Sequence, residues 1–156
     1  EMFAHRGLGP VPEDGFADPR DSALGWRAYR TTPQTDDATD WTALRVAHLI
    51  PETGIELTPD TFILEVGFQR LHGVDFRKGC YVGQEVTARM KHKTELRKGL
   101  AQVAVSGDAA PGTEITADGK SVGTLLSRAG DRALAYLRFD RADDTMQAAG
   151  AAVRRM

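Results

Sequence analysis

The sequence predicts an α+β chain: a helical and mixed segment over residues 36–94, then a small antiparallel β-barrel over 95–156. Three observations carry this. Apolar residues recur at helical spacing in 41–50 and again in 82–90. After Leu96, short alternating runs are separated by glycine turns at near-regular intervals, the pattern of a small sheet or barrel. Residues 1–35 open in a glycine- and proline-rich stretch and close on one strand, so they read as the end of a unit whose beginning lies outside this sequence.

In order, residues 1–20 read as loop, and Asp18-Pro19-Arg20 as a turn. Leu24, Trp26 and Ala28 alternate with Gly25, Arg27 and Tyr29, so a strand is expected there, with its sheet partners later in the chain or missing from it. Asp40 is placed to cap a helix over 41–50, which Pro51 stops; His48 on it reads as a core or surface histidine rather than a ligand. Residues 51–61 are loop. Phe62, Ile63, Val66, Phe68 and Leu71, interrupted by Glu65 and Gly67, make a short helical or irregular packed piece. A second helix starts at Gly83 and ends between Lys91 and Thr94, with Val82, Val86 and Met90 forming a buried stripe and Glu85 pairing with Arg89 one turn on.

The β-unit follows. Residues 100–105 alternate; Ala110-Pro111-Gly112-Thr113 has the composition of a type II turn; 114–116 is a strand; Asp118-Gly119 is a hairpin signal; 122–126 and 132–139 are strands. Residues 141–156 are alanine-rich without a clean period, a tail or a weak last strand.

Composition is that of a globular protein, 41% hydrophobic and 27% charged over 156 residues. No apolar run approaches the roughly 20 residues of a membrane span, so no membrane partner is expected. The single cysteine cannot form an internal disulfide and fits a reducing compartment, for which the cytoplasm is the expectation. A start at Glu1 suggests a fragment of a longer protein. The net charge of −2 is uneven: residues 1–76 hold 6 Lys/Arg against 13 Asp/Glu, 77–98 hold 7 against 2, and 99–156 hold 7 of each. A local excess of positive charge on an acidic body suits a focused anion site; a solvated basic helix face gives the same run, and direct nucleic-acid binding is not expected.

That basic segment opens with Arg77-Lys78-Gly79-Cys80-Tyr81-Val82-Gly83-Gln84-Glu85. Free N–H groups ahead of a helix, together with Arg77 and Lys78, favour an anion, a thiolate included. Gly79 and Gly83 permit positive φ or close approach of a ligand to the backbone. Tyr81 offers a flat face and a hydroxyl, and Glu85 a carboxylate for an amide-like or amino-pyrimidine edge. Set against this, a free cysteine commonly just fills space in a core. The histidines have no metal-ligand spacing, no metal site is expected, and neither a phosphate loop nor a dinucleotide fingerprint is present.

Taken whole, Leu44-Arg45-Val46-Ala47, Ile50-Pro51-Glu52-Thr53-Gly54 and the run from Gly73 through Lys78-Gly79-Cys80-Tyr81-Val82-Gly83-Gln84-Glu85 to Arg89 resemble the YgfZ family of folate-binding proteins, relatives of the glycine cleavage T protein, an aminomethyltransferase. Asp18-Pro19-Arg20 with Leu24-Gly25-Trp26-Arg27 resembles the end of that family's first large domain, which implies that residues 1–35 are the end of an N-terminal α+β domain, mostly missing here. Val122-Gly123-Thr124 to Leu137-Arg138-Phe139 resembles the family's C-terminal barrel. The likeness covers most of this chain but only the C-terminal part of the family's length. It implies a three-lobed fold around a central channel holding a tetrahydrofolate-type ligand, and a role in making or maintaining iron–sulfur enzymes, a tRNA-modifying one among them. Carried over by residue, Lys78 and Cys80 line the folate site, Gly79, Tyr81, Gly83, Gln84, Glu85 and Arg89 shape it, and Cys80 is the candidate catalytic residue. The implied partners are the folate, the missing N-terminal part, and iron–sulfur enzymes or assembly proteins. Two departures keep alternatives open. The T protein's own signature lacks this cysteine motif, and the aspartate expected to carry its chemistry lies outside this sequence. A tetrahydrofolate-dependent aminomethyltransferase and a non-catalytic interaction module with a structural cysteine remain the other readings.

Overall fold

The computed structural model describes every residue except Asp36 and Thr94. The two limits of the 36–94 segment, Thr94 being also the outer limit expected for the end of its second helix, therefore lie outside the described residues.

The chain opens with a three-stranded antiparallel sheet, not a loop. β1 (Phe3–Gly7) and β2 (Gly15–Ala17) flank the central β3 (Trp26–Arg30). The expected strand is present, but both its partners precede it in this chain. They escape a pattern reading because β2 is three residues long and because Gly7 is there for packing rather than turning. A side chain at Gly7 would run into the indole of Trp26, its register partner. A 3₁₀ turn, Ser22–Leu24, is capped by Asp21, whose carboxylate accepts the Ala23 N–H at 2.9 Å.

Asp40 caps α1 (Trp41–Ala47) as expected, accepting the Ala43 N–H at 2.9 Å. The helix ends before Ile50: Leu49 takes φ 53° and the Ile50 N–H returns to the Arg45 carbonyl at 2.9 Å. His48 is on the surface. Trp41 and Ile50 pack with Leu24 of the 3₁₀ turn and with Leu71, while Val46 packs with Val66, Leu100 and Leu134, tying the helix to the barrel. Residues 63–72 are successive turns that bury Leu64, Val66 and Leu71, the irregular packed piece expected.

The barrel is made of β4 (Lys98–Ser106), β5 (Glu114–Ala117), β6 (Lys120–Ala129), β7 (Arg132–Arg138), β8 (Gln147–Ala148) and β9 (Ala151–Arg155), closed in the order β4-β7-β6-β5-β8-β9. The Asp118-Gly119 hairpin has positive φ at both positions, 48° and 72°, as a type I′ turn requires. The chain end, read as a tail or a weak last strand, supplies β8 and β9, and Val105↔Val153 pairing seals the barrel. Its alanines weaken the strand signal yet suit a narrow interior: Ala133, Ala135, Ala148 and Ala151 are buried there beside Ile115, Leu125, Leu137 and Val153.

α2 (Gln84–Lys93) corrects one expectation. Val82 and Val86 are exposed and Met90 half-buried, so the stripe has the right spacing but no core beneath it.

Candidate functional site

The loop ahead of α2 is shaped by short-range hydrogen bonds. Asp75 accepts the Arg77 N–H at 2.8 Å, and this bond, with the nearby Arg77 side chain, holds the Asp75 carboxyl below the usual range despite some desolvation. Gly79 and Gly83 both take positive φ, 82° and 84°, with open space where a Cβ would stand. The Tyr81 N–H donates to Gln84 Oε1 at 3.0 Å, closing the turn into the helix. The Lys78 ammonium lies 5.0 Å from the Tyr81 ring centre, a cation–π distance. Arg89 Nη2 donates to Glu85 Oε1 one turn along α2, the pair expected from the spacing.

Lys78, Gly79, Cys80, Tyr81, Gly83, Glu85 and Arg89 are thus all exposed, with Gln84 half-buried. Cys80 is a free, exposed thiol, so it does not fill space in a core. The fold brings together Lys78 with Tyr81, Tyr81 with Gln84, and Glu85 with Arg89, and it leaves all of them on an open surface.

Arg89 alone of these reaches a concavity. A cleft of about 760 Å³ runs between Arg89 and Met90 of α2, residues 95–98, and the barrel rim at Gly123, Tyr136 and Arg138. Its wall carries the cations Arg89, Arg97, Lys98 and Arg138 and the carboxylates Glu65 and Glu95. Glu65 is buried; the Tyr136 hydroxyl donates to its Oε2, and its carbonyl accepts the Leu100 N–H at 2.7 Å. Burial first, and then this hydrogen bond to a carboxylate, push the Tyr136 phenol well above its ordinary value. The Lys98 ammonium sits 5.7 Å from the centre of the same ring. Sequence reasoning missed Glu65, Tyr136 and Arg138. The one available signal was a carboxylate at 65 inside an apolar run, taken there as a mere interruption.

Comparison with known proteins bears on this arrangement. Residues 97–155, the barrel, match the family model for the CAF17 C-terminal beta-barrel domain. The chain is 35% identical over 139 residues to the mouse mitochondrial iron-sulfur cluster assembly factor IBA57, covering 79% of this chain and 39% of that protein. The chain belongs to the YgfZ/CAF17 family. The human IBA57 is 34% identical over 135 residues, with 77% of this chain and 38% of that protein covered. The Mycosarcoma maydis IBA57 homolog is 34% identical over 98 residues, 56% of this chain and 24% of that one. The chain therefore spans about two fifths of the length of the mammalian relatives it matches. All three relatives are named as mitochondrial, a compartment other than the cytoplasm expected from the lone cysteine.

In this YgfZ/CAF17 chain one buried ionic cluster fastens the motif-bearing segment to the family barrel. Arg45 Nη1 donates to Glu56 Oε2 and to the Ile50 carbonyl, each at 3.2 Å, and Nη2 donates to Ser127 Oγ at 3.1 Å. Glu56 accepts the Ser127 N–H at 3.1 Å and the Glu52 N–H at 2.9 Å. Among the described residues, no group of three or more His, Cys, Asp or Glu side chains is arranged to hold a metal ion.

Proposed function

We propose that this protein is a folate-binding accessory factor for the assembly or repair of iron–sulfur enzymes, tRNA-modifying enzymes among its clients, and that the 77–85 loop with α2 is one wall of its tetrahydrofolate site. The observation that carries the reading is that the family's cysteine motif is presented whole on an open surface, with Cys80 exposed. The residues fit such a ligand as half a site. Gly79 and Gly83 leave space for a flat ring against the backbone, Tyr81 and Lys78 offer an aromatic face and a cation, and Arg89 leads into a cation-rich cleft suited to the glutamate tail. The facing wall belongs to the N-terminal part of the longer protein. Bound tetrahydrofolate would supply a reduced pterin that carries one-carbon units; Lys78, Tyr81 and Arg89 would hold and orient it, and Cys80 would face it. The names of the IBA57 relatives support iron–sulfur assembly proteins as partners. The exposed unpaired thiol supports a reducing compartment, for which we retain the cytoplasm, to be checked by fractionation.

The test uses the full-length protein. Tetrahydrofolate should bind saturably, and Lys78→Gln should weaken it several-fold. Cells relying on Cys80→Ala should lose iron–sulfur enzyme activity at an unchanged level of the protein. Full activity with Cys80→Ala would remove the functional thiol, and absence of saturable folate binding would remove the ligand. Production of methylene-tetrahydrofolate from an aminomethylated carrier protein would select the transferase instead.

A further inference from the structure

The cleft between α2 and the barrel holds a group that the proposed tetrahydrofolate site leaves unused. Glu65 is buried on its wall, with 8% of its surface exposed. Its Oε2 accepts the Tyr136 hydroxyl, a neutral donor that burial keeps protonated. Among the described residues no Lys, Arg or His forms an ion pair with this carboxylate, and its Oε1 accepts no hydrogen bond. Oε1 is nevertheless not closed off: it keeps accessible surface and opens onto the cleft. A buried carboxylate balanced by one neutral donor is costly, and an N–H supplied by a ligand lowers that cost.

The rim of the same cleft has the opposite sign. Arg89 comes from α2, Lys98 opens β4 with Arg97 just before it, and Arg138 closes β7. Arg89 pairs with Glu85 and Arg138 with Asp140, exposed acids that do not line the cleft. Arg97 and Lys98 have no ion pair among the described residues. Glu95, itself exposed, is the other carboxylate on the wall. A ligand that suits this cleft must therefore bring an N–H donor for the buried acceptor and negative charge for the rim.

We propose that the cleft reads a γ-linked polyglutamate tail, Glu65 accepting a tail amide N–H while the rim cations meet the tail carboxylates. The inference rests on the tetrahydrofolate site proposed for the 77–85 loop and adds to it: the ligand is the polyglutamyl form, and Glu65 sets specificity. The order of signs selects this class, not the volume. A phosphate or polyphosphate brings acceptors only and is repelled by Glu65. A simple cation is repelled by the rim. In a γ-glutamyl unit the amide N–H and the α-carboxylate sit on one carbon, so a unit that donates to Glu65 carries its carboxylate to the neighbouring cations. Hydrogen bonds with an ionised partner on one side are the strong ones.

Binding of tetrahydrofolate and of its γ-linked triglutamyl form to the full-length protein, at fixed ionic strength, tests this. The triglutamyl form should bind about tenfold more tightly. Arg97→Gln combined with Lys98→Gln, two exposed side chains whose loss leaves the fold intact, should remove most of that gain. Tripolyphosphate should fail to compete with the triglutamyl form in the wild type and should compete in Glu65→Gln. The surface double variant decides the matter if Glu65→Gln fails to fold. Equal binding of the two folates, a gain that persists in the double variant, or competition by tripolyphosphate in the wild type would overturn the proposal. So would α-linked triglutamate competing as well as free γ-triglutamate, which would make the cleft an acidic-peptide site. If neither folate binds but free γ-triglutamate saturably shifts the Arg97 and Lys98 side-chain NMR signals, the cleft keeps its assignment and only the folate site fails. Absence of those shifts as well removes both.

Discussion

The barrel and the arm formed by residues 74–93 use apolar residues in opposite ways. In the barrel, alternating side chains from six strands converge on a closed interior, and Ile115, Leu125 and Leu137 have no exposed surface at all. In the arm, Phe76, Tyr81, Val82 and Val86 are exposed although Val82, Val86 and Met90 have helical spacing. One region is a finished core and the other a face prepared for something else. Stability is therefore concentrated in the barrel and its junction with α1, and the motif's chemistry is carried by the part that contributes least to stability.

The sharpest way to break that contrast is at the junction. Arg45→Met should cost about 3–5 kcal/mol in urea unfolding, because it leaves the buried Glu56 carboxylate without its cation. Arg45→Met combined with Glu56→Leu should recover most of the loss. A cost under about 1 kcal/mol for the single variant would mean that the cluster does not fasten the two units. Within the barrel, Leu137→Ala should cost about 2–5 kcal/mol through lost burial and a residual cavity, read as a lower unfolding midpoint at unchanged slope.

What could be read in advance follows the range of the interaction. The Asp40 cap, the Ala110–Thr113 turn and the Asp118-Gly119 hairpin each depend on neighbours within about four residues, and each was legible. Glu65 meets Tyr136 across 71 positions and Arg45 meets Ser127 across 82, and no local pattern announces either pair. β1 was hidden by a glycine whose purpose is close packing under Trp26, β2 by its three-residue length, and β9 by alanines chosen for a narrow barrel. At the motif, the Glu85–Arg89 pair and the positive φ of both glycines were legible because they are local. Exposure of the Val82 and Val86 stripe was not, since a helical period states which residues share a face and not what lies opposite it.

The first sheet should respond to acid through Asp18. Burial alone would raise the Asp18 carboxyl, but hydrogen bonds from Arg20 and Arg27 prevail and hold it at about 2, below its ordinary 3.8. A carboxyl lowered on folding stabilises the native state above its unfolded value, and that contribution disappears as pH falls through the folded one. About 2 kcal/mol should therefore be lost between pH 4 and pH 2, followed by urea midpoints across that range. Asp18→Asn should flatten this window. An unchanged pH profile in Asp18→Asn would show that other carboxyls govern the acid limb.

The smallest effects belong to the arm, and there the smallness is the point. Glu85→Gln removes an exposed one-turn ion pair with Arg89, for which about 0.3–0.5 kcal/mol is expected, declining further with added salt. Val86→Ser should change the stability of this chain by no more than about 0.5 kcal/mol, because the side chain already faces solvent. The same two substitutions in a protein of the relatives' full length provide the contrast. If a further segment covers this face there, as the proposed folate site requires, Val86→Ser becomes a core substitution and costs several times more, while Glu85→Gln changes folate affinity along with stability. Equal, near-zero costs in both settings would leave the stripe uncovered in the complete protein and would remove the facing wall from the proposed folate site.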